Sequence, residues 1–233
     1  MTSFPASQFD FLRRLRTHND RPWFAAHKRE YQVTYAEFKE VCLDIIAGIS
    51  EFDPHVFAQP DFYRVFRIYR DIRFRKDKTP YKEHYSCEVV RSGRDAGREK
   101  YYWRLKPGDL SLVGAGWFPR DTEDLFAMRR YVSAHHSEFT AALTRAKKRG
   151  FDLVDYAGKL KTTPRGFDPA DPAVEYLRHK AWTIMRTLGD EEVEGGDYVE
   201  RVVAWARANQ DYLAFFAAAQ QEIDQNRGDY RLS

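Results

Sequence analysis

Cysteine is scarce in this chain of 233 residues: there are two, Cys42 and Cys87. Neither belongs to a Cys-x-x-Cys pair, and Cys42 falls in a helical pattern while Cys87 falls in a strand pattern. The expectation is two buried thiols in a reducing compartment, with no disulfide framework. Long apolar runs are also missing. No window approaches the ~18 apolar residues that a membrane span needs, and the first residues reach Arg13, Arg14 and Arg16 before a signal-peptide core can form. These absences predict a cytoplasmic protein with no membrane association. Several catalytic signatures are lacking too: there is no Gly-x-Ser-x-Gly elbow, no Walker loop and no Rossmann fingerprint. The seven histidines contain no His-x-x-x-His pair, and adjacent His135 and His136 cannot share one helix face, so no metal site and no cofactor is expected.

Aromatics make up 15% of the residues and charged residues 31%, enough for a large core inside a solvated exterior. A chain this long buries most of its unfolded surface without a metal or disulfide. No linker or repeat divides it, so residues 1–233 are expected to form one domain.

Periodicity predicts the elements. A short helix spans roughly Ser7 to Arg16. Asp20 is a helix cap and Pro22 suits a first turn. Phe24, His27, Tyr31, Tyr35, Phe38, Cys42, Ile45 and Ile49 then trace one face of a long helix. From Arg64 to Arg75 the spacing changes to two, the mark of a half-buried strand or a pair of strands. Phe66, Ile68, Ile72 and Phe74 share one parity and are expected to be buried, with Arg67, Arg73 and Arg75 on the opposite face. A bend near Arg70-Asp71 is the weak point, because Arg70 shares the apolar parity. Further strands are expected at Tyr85–Arg91, Lys100–Lys106 and Leu110–Ala115, with Gly93–Arg98 and Pro107-Gly108-Asp109 as hairpin turns.

Helices return at Asp121, where Leu125, Met128, Val132, His135, Phe139, Leu143 and Ala146 form one stripe up to Gly150. Another is expected after Asp171-Pro172, through Val174, Leu177, Ala181, Ile184 and Leu188. A last one follows Asp197 and ends near Asn226–Gly228, after a Gly-flanked loop holding Glu191, Glu192 and Glu194. Strands grouped between two sets of helices predict an α+β fold: an antiparallel sheet of about four or more strands flanked by N-terminal and C-terminal helices.

Charge is uneven. Eight cations and two anions lie between Arg64 and Lys82, so this segment carries +6 and leaves −3 on the rest of a chain whose net charge is +3. Arginine presents a planar fork suited to phosphate or carboxylate. Arg67, Arg70, Arg73, Lys78, Tyr81 and Lys82 are therefore candidate ligand-binding residues, with Arg70, Arg73 and Lys78 expected to converge with Asp71 on one concave site. The alternative is a salt-bridged, solvated sheet face with Asp71 and Asp77 as partners. The cluster admits three functions: binding of an anionic small molecule or a nucleic-acid backbone, an enzyme with Asp71 as acid–base residue assisted by Tyr81 or His84, or a protein-interaction domain without a pocket. Gly114-Ala115-Gly116 is read as close backbone packing and not as a phosphate loop, because Asp121, Glu123 and Asp124 already occupy the next helix start. Tyr101, Trp103 and Leu105 share one strand face and are read as core.

The stretch from Arg70 to Lys82, R-D-I-R-F-R-K-D-K-T-P-Y-K, resembles the domain of unknown function 2461 of bacteria and fungi. Asn19 with Trp23-Phe24, Gly114-Ala115-Gly116 followed by Pro119, Pro164-Arg165-Gly166-Phe167, and Leu177 with Lys180 are similar to further landmarks of that family. Arg75 and Pro22 depart from its pattern. The resemblance covers nearly the whole chain and implies a single domain with no assigned reaction.

Overall fold

The computed structural model describes residues 4–74, 76–93 and 98–226. Its strands form a six-stranded antiparallel sheet in the order β1-β2-β3-β4-β6-β5. The strands are β1 (Tyr63–Val65), β2 (Tyr85–Val90), β3 (Glu99–Leu105), β4 (Ser111–Trp117), β5 (Asp152–Val154) and β6 (Trp182–Leu188). Helices α1 (Ala6–Thr17), α2 (Arg21–Ala26) and α3 (Lys28–Ser50) precede the sheet. Helices α4 (Thr122–Ala134) and α5 (His136–Lys148) precede β5, and α6 (Val174–Leu177) precedes β6. Helices α7 (Asp190–Glu194), α8 (Tyr198–Ala208) and α9 (Gln210–Gln225) follow it. The fold is α+β, as the grouping of patterns predicts.

The chain divides into two compact units. The first contains 1–95, 102–113 and 187–205, and the second contains 96–101, 114–186 and 206–233. We carry the single domain forward as a proposal, tested by whether the chain melts in one calorimetric transition. No helix among the described residues is long and apolar enough to cross a membrane.

In the first unit α3 packs on β2. Phe38, Cys42, Ile45 and Ile49 are fully buried, as are Tyr85 and Cys87 of β2. The Tyr85 and Thr34 hydroxyls share a hydrogen bond of 2.9 Å. Both cysteines are free. Burial pushes the Cys87 thiol up, and the neighbouring Cys42 adds to this. The second unit centres on Trp117, Trp182 and Phe216, whose ring centroids lie 5.7–6.3 Å apart.

Three expected helices are each two helices. The long N-terminal one breaks at His27, the one after Asp121 at His135, and the last at Asn209. All three break residues have φ near −105° and ψ between 14° and 34°. The hydrophobic stripe crosses each break without losing phase, so periodicity alone could not reveal it. Each histidine closes the turn behind it. His27 Nδ1 lies 2.8 Å from the Trp23 carbonyl and its ring stacks on Trp23, and His135 treats Tyr131 the same way at 3.1 Å. The expected caps are present: Asp20 accepts from Trp23 N and Asp121 from Asp124 N.

Two further expectations are corrected. Helix α6 stops after four residues, and Trp182–Leu188 is a strand. Trp182, Thr183 and Ile184 are all buried, so the residues on both faces are covered and the apolar run mimics a helical stripe. Glu191, Glu192 and Glu194 lie on the short helix α7, not in a loop. Strand β5, only three residues long, was not foreseen. The Gly108 turn is present, with φ of 90° at Gly108 and 60° at Asp109. The other expected hairpin loop falls largely on 94–97, outside the described residues.

Gly114 and Gly116 sit within β4 where backbone approaches closely. A Cβ on Gly114 would meet the Ile184 carbonyl at 2.6 Å, and one on Gly116 the Trp182 carbonyl at 2.6 Å. Only glycine fits there.

Candidate functional site

The basic segment joins β1 to β2. Phe66 N donates to the Ser86 carbonyl, Lys82 N to Ile68 and Arg70 N to Pro80. Tyr69 and Tyr81 form an isolated antiparallel bridge. The segment is therefore an irregular hairpin whose arms meet as far as Arg70 and Pro80, with 71–79 as its tip. The expected strand Arg64–Arg75 is corrected accordingly: only Tyr63–Val65 is regular strand. Alternation survives to Ile68, which is fully buried, and fails beyond it. Phe66 and Ile72 are half-buried, and Phe74 is 95% exposed.

The cause is local. The Asp71 carboxylate accepts the Arg73 backbone N–H at 3.2 Å, and Asp77 accepts that of Thr79 at 2.9 Å. Both bonds reach two residues on, an Asx geometry that bends a chain out of strand conformation.

A cleft of about 490 Å³ opens beside this hairpin, wholly within the first unit. Of the residues singled out from sequence, Arg70, Asp71, Tyr81, Lys82 and His84 line it. Arg67, Arg73 and Lys78 do not. The Arg73 guanidinium is exposed and bidentate on Asp71, at 3.0 and 2.7 Å. Lys78 Nζ donates to the Ile72 carbonyl at 3.0 Å. Arg75 lies outside the described residues. Asp77, Thr79, Glu83 and Lys106 complete the lining and were missed.

At the hairpin tip and at Tyr81 the lining residues are held by their neighbours. Arg70 donates to Asp77 Oδ2 at 2.7 Å and to the Thr79 hydroxyl. The Thr79 backbone N–H first, then Arg70 and the Thr79 hydroxyl, lower the Asp77 carboxyl to about 2. Tyr81 is clamped by Asn19 and stacks on Phe24, centroids 3.9 Å apart. Burial pushes its hydroxyl pKa up, with Tyr69 adding to it.

The floor is different. Lys82 is half-buried, and among the described residues no carboxylate pairs with it or with Arg67. Burial lowers the Lys82 pKa and the nearby Arg67 charge lowers it further. Strand alternation in β3 puts Arg104 and Lys106 on the face opposite the buried Tyr101, Trp103 and Leu105. Because β3 neighbours β2, those cations come alongside His84. Burial, then Arg104, Lys82 and Lys106, lower the His84 imidazole to about 3. The ring is neutral at pH 7, and no hydrogen bond reaches it among the described residues. The signal for Lys106 and Arg104 was present as their shared parity on β3. It needed the pairing of β2 with β3 to become a site.

Among the described residues, no group of three His, Cys, Asp or Glu side chains is placed to hold a metal.

The family model described as a conserved hypothetical protein (DUF2461) matches residues 7–215. The chain belongs to that family. No curated protein and no solved structure gives a match. The DUF2461 match spans all the cleft-lining residues, Arg70 to Lys106, and the Asn19-to-Phe24 stretch that holds Tyr81. In this member the two are in direct contact through Asn19, Phe24 and Tyr81.

Proposed function

We propose that this DUF2461 protein binds a small anionic molecule, bearing phosphate or carboxylate, on the floor of the cleft at Lys82, His84 and Lys106. The observation that carries this reading is Lys82, a half-buried cation near Arg67 with no carboxylate partner among the described residues. Lys106, paired at 3.8 Å with Glu83, and Arg104 add positive charge near a neutral His84. Like charges brought together in a partly desolvated place weaken a fold unless an anion joins them. A bound oxyanion would accept hydrogen bonds from Lys82 and Lys106 and relieve that repulsion.

A nucleic-acid backbone is less well supported. Three carboxylates, Asp71, Asp77 and Glu83, stand among the three lining cations Arg70, Lys82 and Lys106. That balance suits a compact ligand better than a polyanion. An enzyme with Asp71 as acid–base residue also has less support, because Arg73 grips both oxygens of that carboxylate.

The test is a melting-temperature series at constant ionic strength with phosphate, citrate or chloride, and with a single-stranded oligonucleotide. A specific ligand raises the melting point by mass action. Phosphate or citrate is expected to raise it and chloride to leave it unchanged. An oligonucleotide raising it more than either would favour the nucleic-acid reading.

A further inference from the structure

Resting on the anion-site reading, we infer that the ligand carries hydroxyl groups beside its anionic group, with Glu83 and His84 recognising them. The first support is the lining as a whole. None of its nine residues is aliphatic, and the Tyr81 ring is buried against Phe24. A ligand with an alkyl body would find little to pack against. One that is polar throughout would find donors and acceptors on every side.

The second support is the bonding state of the carboxylates. Asp71 and Asp77 are occupied by Arg73, Arg70 and Thr79. Glu83 is not. Its ion pairs to Arg16 and Lys106 are both 3.8 Å long, beyond hydrogen-bond distance. Its side chain is 30% exposed, so the carboxylate faces the cleft with its acceptor capacity open. A carboxylate there repels a bare anion. It is explained if the ligand brings hydroxyl donors next to its charge. His84 follows directly in the chain and also lines the cleft. As a neutral imidazole it has one donor and one acceptor nitrogen, the pairing that a hydroxyl group satisfies. A cationic floor with a carboxylate–imidazole pair beside it fits a hydroxylated phosphate, such as a phosphorylated polyol or sugar, or a hydroxy acid.

Glycerol 3-phosphate and propyl phosphate are a matched pair of probes, alike in size and charge and differing in two hydroxyls. Titration calorimetry with both, and with inorganic phosphate, separates the possibilities. Glycerol 3-phosphate is expected to bind about tenfold tighter than propyl phosphate, the worth of one or two well-made hydrogen bonds. Glu83→Ala is expected to reduce that preference several-fold, His84 keeping the rest, while binding inorganic phosphate at least as tightly as wild type, since a repulsive charge is gone. The loss of two long ion pairs leaves the fold standing. Equal affinities for the two esters, or a preference undiminished in Glu83→Ala, would overturn the inference and leave the anion site intact. No binding of any of the three would overturn both.

Discussion

Asn19 and Tyr81, sixty-two positions apart, hold each other by two backbone-directed hydrogen bonds. The Asn19 side-chain amide donates to the Tyr81 carbonyl at 3.1 Å, and Tyr81 N donates to Asn19 Oδ1 at 3.1 Å. One amide side chain thereby does the work of a strand neighbour for a residue lining the cleft. Asn19→Ala leaves both Tyr81 groups without their partner in a half-buried setting. The expected cost is about 2 kcal/mol. In a chain of this length that lowers the melting temperature by roughly 4–8 °C. Asn19→Asp keeps the acceptor and loses the donor, so it should fall between. A melting curve for Asn19→Ala within about 1 °C of wild type would contradict the clamp.

Gly116 faces backbone, and backbone cannot step aside as a side chain tip can. An added Cβ would lie 2.6 Å from the Trp182 carbonyl and 2.7 Å from Thr183 Cα. Gly116→Ala is expected to destabilise by about 3 kcal/mol. The denaturation midpoint should fall with an unchanged slope. Gly196 has open space around its Cβ position but a φ of 84°, so Gly196→Ala should cost about 1 kcal/mol from backbone strain alone.

His84 makes stability depend on pH in a stated direction. Its folded pKa is about 3 and its ordinary value 6.5. Between these the unfolded chain binds the proton and the folded one does not, so stability falls as pH drops from about 6.5 toward 3. Partial solvent access discounts the full effect to on the order of 2–3 kcal/mol between pH 7 and pH 4. Asp77 adds acid sensitivity lower down: its carboxyl, lowered to about 2, contributes stability that is lost as pH falls from about 4 to 2. The His84→Gln variant should show a flatter stability profile above pH 4 than wild type. Parallel profiles in denaturant titrations would remove His84 as the cause.

Arg73 is expected to matter little for binding. It lies off the cleft lining and is 76% exposed at its side chain, although it holds Asp71, which does line the cleft. Arg73→Ala frees that carboxylate and should weaken phosphate binding by about 0.5 kcal/mol, the scale of a surface charge. A loss as large as that of a lining lysine would show that Arg73 reaches the ligand directly.

Much of this was legible in the sequence, and the exceptions share a physical reason. Asp20, Asp121 and the alternation of Tyr101, Trp103 and Leu105 depend on neighbours within a few residues, so local pattern suffices. The breaks at His27, His135 and Asn209 preserve helical phase and leave no trace in it. Trp182–Leu188 is covered on both faces, and such a run reads equally as helix or strand. In the site, Tyr81, Lys82 and His84 follow one another closely and were found together. Arg104 and Lys106 join them only through the adjacency of β2 and β3. Phe74 is exposed because the alternation does not continue past the Asx bend at Asp71, where the pleat ends.

Lys82 tests the central claim most directly. Its charge is half-buried beside Arg67 and lacks a carboxylate partner among the described residues, and its ammonium lies over the Phe66 ring, 5.3 Å from Nζ to the centroid. Lys82→Met keeps an unbranched chain of similar length and removes the charge. The measurement is calorimetric titration of inorganic phosphate into wild type and Lys82→Met, with a melting curve for each. The account predicts one phosphate site in wild type, binding weaker by about tenfold or more in Lys82→Met, and a melting temperature for the unliganded variant equal to or above that of wild type. Equal phosphate affinity in the two proteins, or a variant that binds weakly only because it has lost its fold, would contradict it.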